Sequence, residues 1–120
     1  MGLKKRVLIA EDDDRTRELY HAILDDLYDV IDVPDGAPAL GLIDAGERFD
    51  LLITDMKMVR MNGDELIEAL RARGFSSPII LVTGFITPRH AEVLGRSARI
   101  VIKPLHIEEF TDLVRSCLVS

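Results

Sequence analysis

The chain has 120 residues, of which 48% are hydrophobic and 30% are charged, and its formal net charge is −6. This length allows one domain, residues 1–120, with a real hydrophobic core, and the hydrophobic fraction is too high for a disordered protein. The acidic balance argues against direct binding of nucleic acid, and the single cysteine, Cys117, excludes an internal disulfide and a four-thiolate zinc site.

No apolar stretch has the length of a signal peptide or a membrane helix. The apolar run nearest the N-terminus, residues 7–10, ends at Glu11. A signal peptide needs about 7–15 apolar residues, and a membrane helix needs about 20. We therefore expect a cytoplasmic protein that does not contact the membrane.

Five short segments have the composition of β-strands. In chain order they are residues 7–10, 28–33, 51–54, 79–83 and 99–102. Four of them are continuous apolar runs, which are typical of parallel strands that are covered on both faces. The second is more mixed in polarity, which predicts an edge strand.

A helical pattern follows each predicted strand. The predicted helices are residues 15–27, 36–45, 64–73, 88–95 and 106–118. Asp14 is predicted to cap the first helix, Gly74 to end the third and Pro88 to open the fourth. The residues predicted to face the core are Leu19, Ala22, Ile23, Leu27, Leu40, Ile43, Leu66, Ala69, Leu70, Ile107, Phe110, Val114 and Cys117.

The order of the elements, β-α repeated five times, predicts the fold class. Strands that alternate with helices imply right-handed crossovers and a parallel sheet. We therefore predict an α/β domain with one doubly wound, five-stranded parallel sheet and five helices, which form unequal sets on its two faces.

Polar residues stand where four of the predicted strands end. The acidic run 11–14 follows the first strand, Asp55 follows the third, Thr83 ends the fourth and Lys103 follows the fifth. In an open parallel sheet, ligands bind beyond these carboxyl ends. Converging carboxylates repel one another, and a hard divalent cation such as magnesium relieves that repulsion.

These residue types favour phosphoryl chemistry at that edge of the sheet. A lone carboxylate such as Asp55 can act as a nucleophile and form an acyl phosphate. The Thr83 hydroxyl can donate to a phosphoryl oxygen, and Lys103 can supply a cationic contact to the same group. Gly84 has no side chain, so its backbone N–H can approach an anion closely.

Five segments together carry a resemblance to a known family. They are VLIAEDDD (7–14), DVPDGAPAL (32–40), LLITDMKMVRMNG (51–63), PIILVTG (78–84) and IVIKP (100–104). Each is weak alone, but in this order they are highly specific, and they cover essentially the whole chain. The chain resembles the receiver domain of two-component response regulators, of the chemotaxis-regulator type. The resemblance implies a flavodoxin-like fold with strand order 2-1-3-4-5.

The resemblance also implies a metal site and a phosphoacceptor. Asp55 corresponds to the aspartate that accepts the phosphoryl group, and it is also a Mg²⁺ ligand. Glu11 and Asp12 correspond to the acidic pair, in which the second residue contacts magnesium directly and the first acts largely through water. The backbone carbonyl of Lys57 corresponds to the third protein ligand.

Further residues correspond to the family's phosphoryl-binding groups. Thr83 and Lys103 match the switch hydroxyl and the phosphate-binding lysine. The backbone N–H groups of Met56 and Gly84 match those that contact the phosphoryl oxygens. Pro104 follows the lysine as it usually does in the family, often through a cis peptide bond.

Three positions depart from the family's usual pattern. Val59 stands where proline is usual, and Glu11 replaces the commoner aspartate. Ile100 stands where many receivers carry Tyr or Phe, whose ring turns inward when the phosphoryl group draws the switch hydroxyl. Because Ile100 cannot make that rotation, the switch mechanism and the output face do not follow from the resemblance.

The function implied is a non-enzymatic phospho-switch. Its partners would be a histidine kinase or phosphotransfer protein and an output domain or protein, and a homodimer stays open. The alternatives are a phosphorylation-independent interaction domain, a haloacid-dehalogenase-type phosphatase and a flavin module. The phosphatase needs a second aspartate where the chain has Lys57, and the flavin module needs a glycine- and hydroxyl-rich loop where the chain has residues 11–14.

Overall fold

The computed structural model describes residues 3–119, so Met1, Gly2 and Ser120, at the ends of the predicted domain, lie outside the described residues. The strands are β1 (Arg6–Ala10), β2 (Asp29–Val33), β3 (Leu51–Asp55), β4 (Ile79–Thr83) and β5 (Arg99–Ile102). The helices are α1 (Asp14–Leu24), α2 (Gly36–Asp44), α3 (Gly63–Ala72), α4 (Pro88–Leu94) and α5 (Ile107–Leu118). Every predicted strand and helix is therefore confirmed. Within residues 3–119, no helix combines the length and the apolar composition that crossing a membrane requires.

The five strands form one parallel sheet in the order β2-β1-β3-β4-β5, which confirms the fold class and the strand order. β2 lies at one edge, as predicted. Ala10 pairs with Thr54, and Thr83 pairs with Ile102. Because neighbouring strands end at matching positions, the residues that follow β1, β3, β4 and β5 share one edge of the sheet.

Alternate residues of each central strand pack on opposite faces of the sheet, which explains why these strands read as continuous apolar runs. Val7 and Ile9 pack with α1 and α5, where the rings of Tyr20 and Phe110 lie 5.6 Å apart between centroids. Leu8 packs on the other face, which α2, α3 and α4 cover. The unequal division of the helices is therefore confirmed.

The predicted inner face of α1 was wrong at Leu19, Ala22 and Leu27 and right at Ile23, which packs against the core. Tyr20 and Leu24 are the buried residues of α1, whereas Leu19 is 39% exposed and Ala22 is exposed. Leu19 and Ile23 form one apolar stripe, and Tyr20 and Leu24 form another that is shifted by one residue. Adjacent residues of a helix differ in direction by about 100°, so the two stripes predict different inner faces. The contact between Tyr20 and α5 decides between them. The helix ends at Leu24, so Leu27 lies beyond it and is also exposed.

The helix ends follow the predictions except in α1, which ends three residues earlier than predicted and has a different N-cap. Asp13, not Asp14, caps α1, and its side chain accepts the backbone N–H of Thr16 at 2.9 Å. Asp14 is the first helical residue, where a carboxylate is favoured by the helix dipole. Gly74 follows α3 with φ of 84°, and Pro88 opens α4, as predicted.

The inner faces of the other helices agree with the prediction except at Ile107 and at Ala69, which is half-buried and outside both core clusters. Leu66 and Leu70 of α3 are fully buried, and Leu40 and Ile43 of α2 pack against the same cluster. Ile107 is 51% exposed. It is the first residue of α5 and stands one turn before the helix begins to pack against the sheet.

Candidate functional site

Three carboxylates meet at the carboxyl edge of the sheet and form an acidic cluster, Glu11, Asp12 and Asp55. One oxygen from each lies within 4.8 Å of the others. Glu11 and Asp12 directly follow β1, and Asp55 ends the adjacent strand β3, so the parallel pairing brings them together. Glu11 is buried, the Asp55 side chain is 13% exposed and Asp12 is exposed. The predicted convergence of these acids is therefore present, with one side open to solvent.

Glu11 occupies the least favourable position for a carboxylate. Its Oε2 accepts the backbone N–H of Asp13 at 3.1 Å. Its Oε1 is, among residues 3–119, the one buried side-chain oxygen or nitrogen that has no hydrogen-bond partner. Burial, followed by the negative charge of Asp55, raises the pKa of Glu11 to about 7, although the hydrogen bond from Asp13 opposes the shift. A buried oxygen without a partner, inside a cluster of acids, fits a site for a hard cation.

The raised pKa of Glu11 predicts how the stability of the metal-free protein depends on pH. Between the ordinary pKa of 4.5 and the folded value of about 7, the folded state binds more protons than the unfolded state. The free energy of unfolding should therefore fall as pH rises through this window, by on the order of 2 kcal/mol. Glu11→Gln should remove that part of the dependence.

Urea denaturation in the presence of a chelator, at about pH 5 and about pH 8, measures the effect. His21 must be separated from Glu11, because Asp25 and Asp32 raise the pKa of His21 and its contribution has the same sign. The informative quantity is therefore the difference between wild type and Glu11→Gln. An identical pH dependence in the two proteins would show that Glu11 does not titrate in this window.

One carboxylate oxygen of Asp55 has both a backbone donor and a cationic neighbour. Its Oδ1 accepts the N–H of Met56 at 2.8 Å and lies 3.5 Å from Nζ of Lys103. Lys103 reaches it from the turn after β5, where the Lys103–Pro104 peptide is cis, as the resemblance implied. The ammonium group favours negative charge on the Asp55 carboxylate and on any anion attached to it.

Thr83 lies beside the acidic cluster but is bonded to its own loop. Its Oγ1 donates to the carbonyl of Phe85 at 3.0 Å and accepts the N–H of Phe85 at 3.4 Å. The residue is buried at the end of β4. The Thr83 hydroxyl is therefore held by hydrogen bonds to a residue two positions further along its own loop.

Next to Asp55 the site opens into a cavity of about 320 Å³. A cavity of this size accommodates a phosphoryl group. Gly84 is exposed there, and a Cβ at this position would meet no atom within 4 Å, so packing does not require glycine. The binding of an anion by the Gly84 N–H and of a metal by the Lys57 carbonyl both stay predictions. The cavity is lined by Asp55, Lys57, Thr83, Gly84, Phe85 and Lys103.

Sequence reasoning missed the residues that shape the loop after β3, residues 56–62. The Gly63 N–H donates to the carbonyl of Met56 at 2.7 Å, and the Met58 N–H donates to Oδ1 of Asn62 at 3.0 Å. Asn62 also stands at the N-cap of α3, where its own N–H donates to Glu65. The signal available in the sequence was Asn followed three residues later by Glu, which is typical of a helix start.

Asp35 was missed as well, although it closes the same loop from another part of the chain. It is buried at the N-cap of α2 and accepts the backbone N–H groups of Arg60 and Met61. An aspartate just before a helix predicts the cap. The contact with a loop 25 residues away depends on packing that no local pattern reports.

Comparisons with known proteins agree with this geometry. A family model described as the response regulator receiver domain matches residues 7–115. The response regulator receiver protein CpdR of Brucella abortus is 31% identical over 119 residues, which are 97% of this chain and 98% of CpdR. The transcriptional regulatory protein CiaR of Streptococcus pneumoniae is 28% identical over 116 residues, which are 94% of this chain. The chain spans 51% of the length of CiaR.

Solved structures show the same architecture. The response regulator protein TrrA of Thermotoga maritima, crystallised in complex with Mg²⁺-BeF, superposes with a TM-score of 0.83. It is 26% identical, and the match covers 95% of this chain and 99% of that one. With the family model across most of its length and a receiver protein of similar size among its relatives, the chain belongs to the response regulator receiver domain family of two-component systems.

Proposed function

We propose that residues 1–120 form a phosphoacceptor domain that receives a phosphoryl group on Asp55 from a histidine kinase or phosphotransfer protein. The observation that carries this proposal is the position of Asp55. It ends a central strand, lies 3.5 Å from the Lys103 ammonium and shares a cluster with Glu11 and Asp12. A carboxylate so placed has a nearby cation for a phosphoryl group and neighbouring acids for a metal.

The transfer is a displacement at phosphorus. A carboxylate oxygen of Asp55 forms a bond to the phosphorus of a phosphohistidine, and the P–N bond breaks with its electron pair left on the imidazole nitrogen. The product is an acyl phosphate. Lys103 and the Met56 N–H, which already contact Asp55, remain close to the charge that develops there.

The acidic cluster fits a magnesium ion. All its donors are carboxylate oxygens, the type that Mg²⁺ prefers, and the unpartnered Oε1 of Glu11 is satisfied when a cation or a water of its shell is present. Asp12, Asp55 and the Lys57 carbonyl would hold the ion, with Glu11 acting mainly through water. When bound, the ion supplies positive charge that offsets the charge of the phosphoryl group. The Mg²⁺-BeF complex of TrrA supports this proposal.

The Thr83 hydroxyl can couple the presence of the phosphoryl group to a conformational change at the surface. A phosphoryl oxygen is a stronger acceptor than the Phe85 carbonyl, because hydrogen bonds to charged acceptors are about twice as strong. When Thr83 donates to it, the hydrogen bond to Phe85 is released. Phe85 is 78% exposed. The resulting change in the loop before α4 therefore lies at the surface, where a partner or output domain can detect it.

The test is phosphorylation of the purified protein. The chain is incubated with acetyl phosphate and Mg²⁺, and its intact mass is measured. We expect a gain of one phosphoryl group, and no gain when a chelator is present from the start of the incubation. Phosphotransfer from a panel of autophosphorylated histidine kinases then identifies the physiological donor. A protein that gains no phosphoryl group from acetyl phosphate or from any kinase would overturn the proposal.

Magnesium should raise the melting temperature, and Asp12→Asn should weaken this response. Binding to the folded state alone stabilises it in proportion to the logarithm of the metal concentration above Kd. Asp12→Asn should also raise the melting temperature of the metal-free protein, because it removes one of three mutually repelling charges. Thermal denaturation across a magnesium series measures both effects.

The control for Asp12 is Asp14→Asn. Asp14 belongs to the same acidic run, but it pairs with Arg17 on α1 and lies outside the acidic cluster. Its replacement should leave the magnesium response of the melting temperature unchanged. If Asp12→Asn and Asp14→Asn respond to magnesium equally, Asp12 is not a ligand.

A further inference from the structure

One buried carboxylate ties the loop after β3, residues 56–62, to the start of α2. Asp35 is 3% exposed. Its Oδ1 accepts the N–H of Ala37 at 2.8 Å and of Met61 at 3.2 Å, and its Oδ2 accepts the N–H of Arg60 at 2.9 Å. Both oxygens of this side chain therefore serve backbone donors, and two of the three donors belong to the loop.

The start of α2 and the loop 56–62 approach each other closely at Gly36, because glycine has no side chain. A Cβ on Gly36 would lie 2.8 Å from the carbonyl oxygen of Met61 and 2.9 Å from its Cγ. Such a distance leaves no room for a side chain at this position. The Asp35-Gly36 pair therefore provides both the acceptor and the space that the loop needs.

The ionised form of Asp35 is the one that the surroundings favour. Burial opposes its charge, but the N–H groups of Ala37, Arg60 and Met61 outweigh burial and lower the pKa of Asp35. The Arg60 guanidinium, with Nε 3.5 Å from Oδ2, adds little because this side chain is 72% exposed and screened by water. The backbone donors, not the ion pair, hold the carboxylate in place.

We propose that Asp35 is a positioning residue for the magnesium site, because it fixes the loop whose backbone presents the Lys57 carbonyl to the ion. The inference rests on the proposed function. Lys57 lies between Asp55 and the two N–H groups that Asp35 holds. A loop released at Arg60 and Met61 therefore leaves the backbone around Lys57 dependent on the hydrogen bonds that the loop makes within itself. A ligand that must be ordered when the ion binds lowers the affinity.

The first test is Asp35→Asn. The amide keeps the shape but has one acceptor and one donor, whereas Asp35 faces backbone N–H groups with both oxygens. In either orientation its NH₂ group opposes at least one of them. We expect Kd for Mg²⁺, measured by calorimetric titration, to rise about tenfold, which is the usual effect of losing an outer-shell partner. Hydrogen exchange at the Arg60 and Met61 amides should become faster.

A second variant, Asp35→Ser, separates the capping of α2 from the binding of the loop. Serine is a good N-cap and can retain the bond to Ala37, so α2 stays intact, but its side chain is too short to reach the loop. It should weaken Mg²⁺ binding as Asp35→Asn does. A folded Asp35→Ser protein with the wild-type Kd would overturn the proposal, even if Asp35→Asn does not fold.

Two controls distinguish positioning from general destabilisation. Arg60→Ala removes the guanidinium but keeps the backbone N–H, and Val114→Ala destabilises the opposite face of the sheet, where Val114 is fully buried. Both should bind Mg²⁺ with the wild-type Kd below their melting temperatures. If Val114→Ala weakens binding as much as Asp35→Asn does, the role of Asp35 is merely structural. If the wild-type protein itself binds no Mg²⁺, the proposed function is wrong, and the inference about Asp35 is wrong with it.

Discussion

Asp55→Asn should abolish phosphoryl labelling of the protein, both by acetyl phosphate and by the cognate histidine kinase. Asparagine matches the shape of aspartate, so the fold should be kept, but its neutral amide oxygen is a far weaker nucleophile than a carboxylate oxygen. It also cannot form an ion pair with Lys103, which lies 3.5 Å away in the wild type. Intact-mass measurement should therefore show no gain, whereas wild type gains one phosphoryl group.

Asp26→Asn is the matched control for this experiment. Asp26 is an exposed aspartate that lies between α1 and β2 and outside the acidic cluster. Its replacement removes the same charge and should leave labelling at the wild-type level. Peptide mapping of the labelled wild type should place the phosphoryl group on the peptide that contains Asp55. Undiminished labelling of Asp55→Asn would show that another residue is the phosphoacceptor.

Gly63→Ala should destabilise the protein by about 1–3 kcal/mol, the typical cost of overpacking that forces a backbone shift. A Cβ at this position would lie 2.2 Å from the carbonyl oxygen of Asp55 and 3.0 Å from a methyl carbon of Leu81. The first atom belongs to the backbone of β3 and cannot move without displacing the strand. Asp55 would then shift relative to Lys103, so the rate of phosphorylation should also fall.

Gly41→Ala provides a control with the same chemical change. Gly41 lies in the interior of α2, where a Cβ would meet no atom within 4 Å. Alanine there should stabilise the protein by about 0.5–1 kcal/mol, because it is the better helix former. Urea denaturation measures both variants. If Gly63→Ala loses no stability relative to wild type, α3 can adjust to the contact and the close approach to Asp55 is not required.

The sequence by itself determined the fold class and most of the acidic site. Continuous apolar runs such as 51–54 identify strands that are buried on both faces. The alternation of these strands with helices predicts a parallel sheet. Once the strands are parallel, their carboxyl ends share an edge, and the strand order implied by the resemblance places Asp12 next to Asp55, with Lys103 two strands further along. No contact between distant side chains had to be known for this inference, because strand direction sets the edge and strand order sets the neighbours.

Only the tertiary structure decided how the elements are rotated and which distant groups meet. Helical periodicity sets the spacing of apolar residues, but the rotation of α1 about its axis depends on the fit of Tyr20 against α5. Likewise, a local pattern marks Asp35 as a helix cap but does not report its bonds to a loop 25 residues later. Gly63 reaches the carbonyl of Asp55 for the same reason. Such contacts depend on how whole elements pack, and local sequence does not encode them.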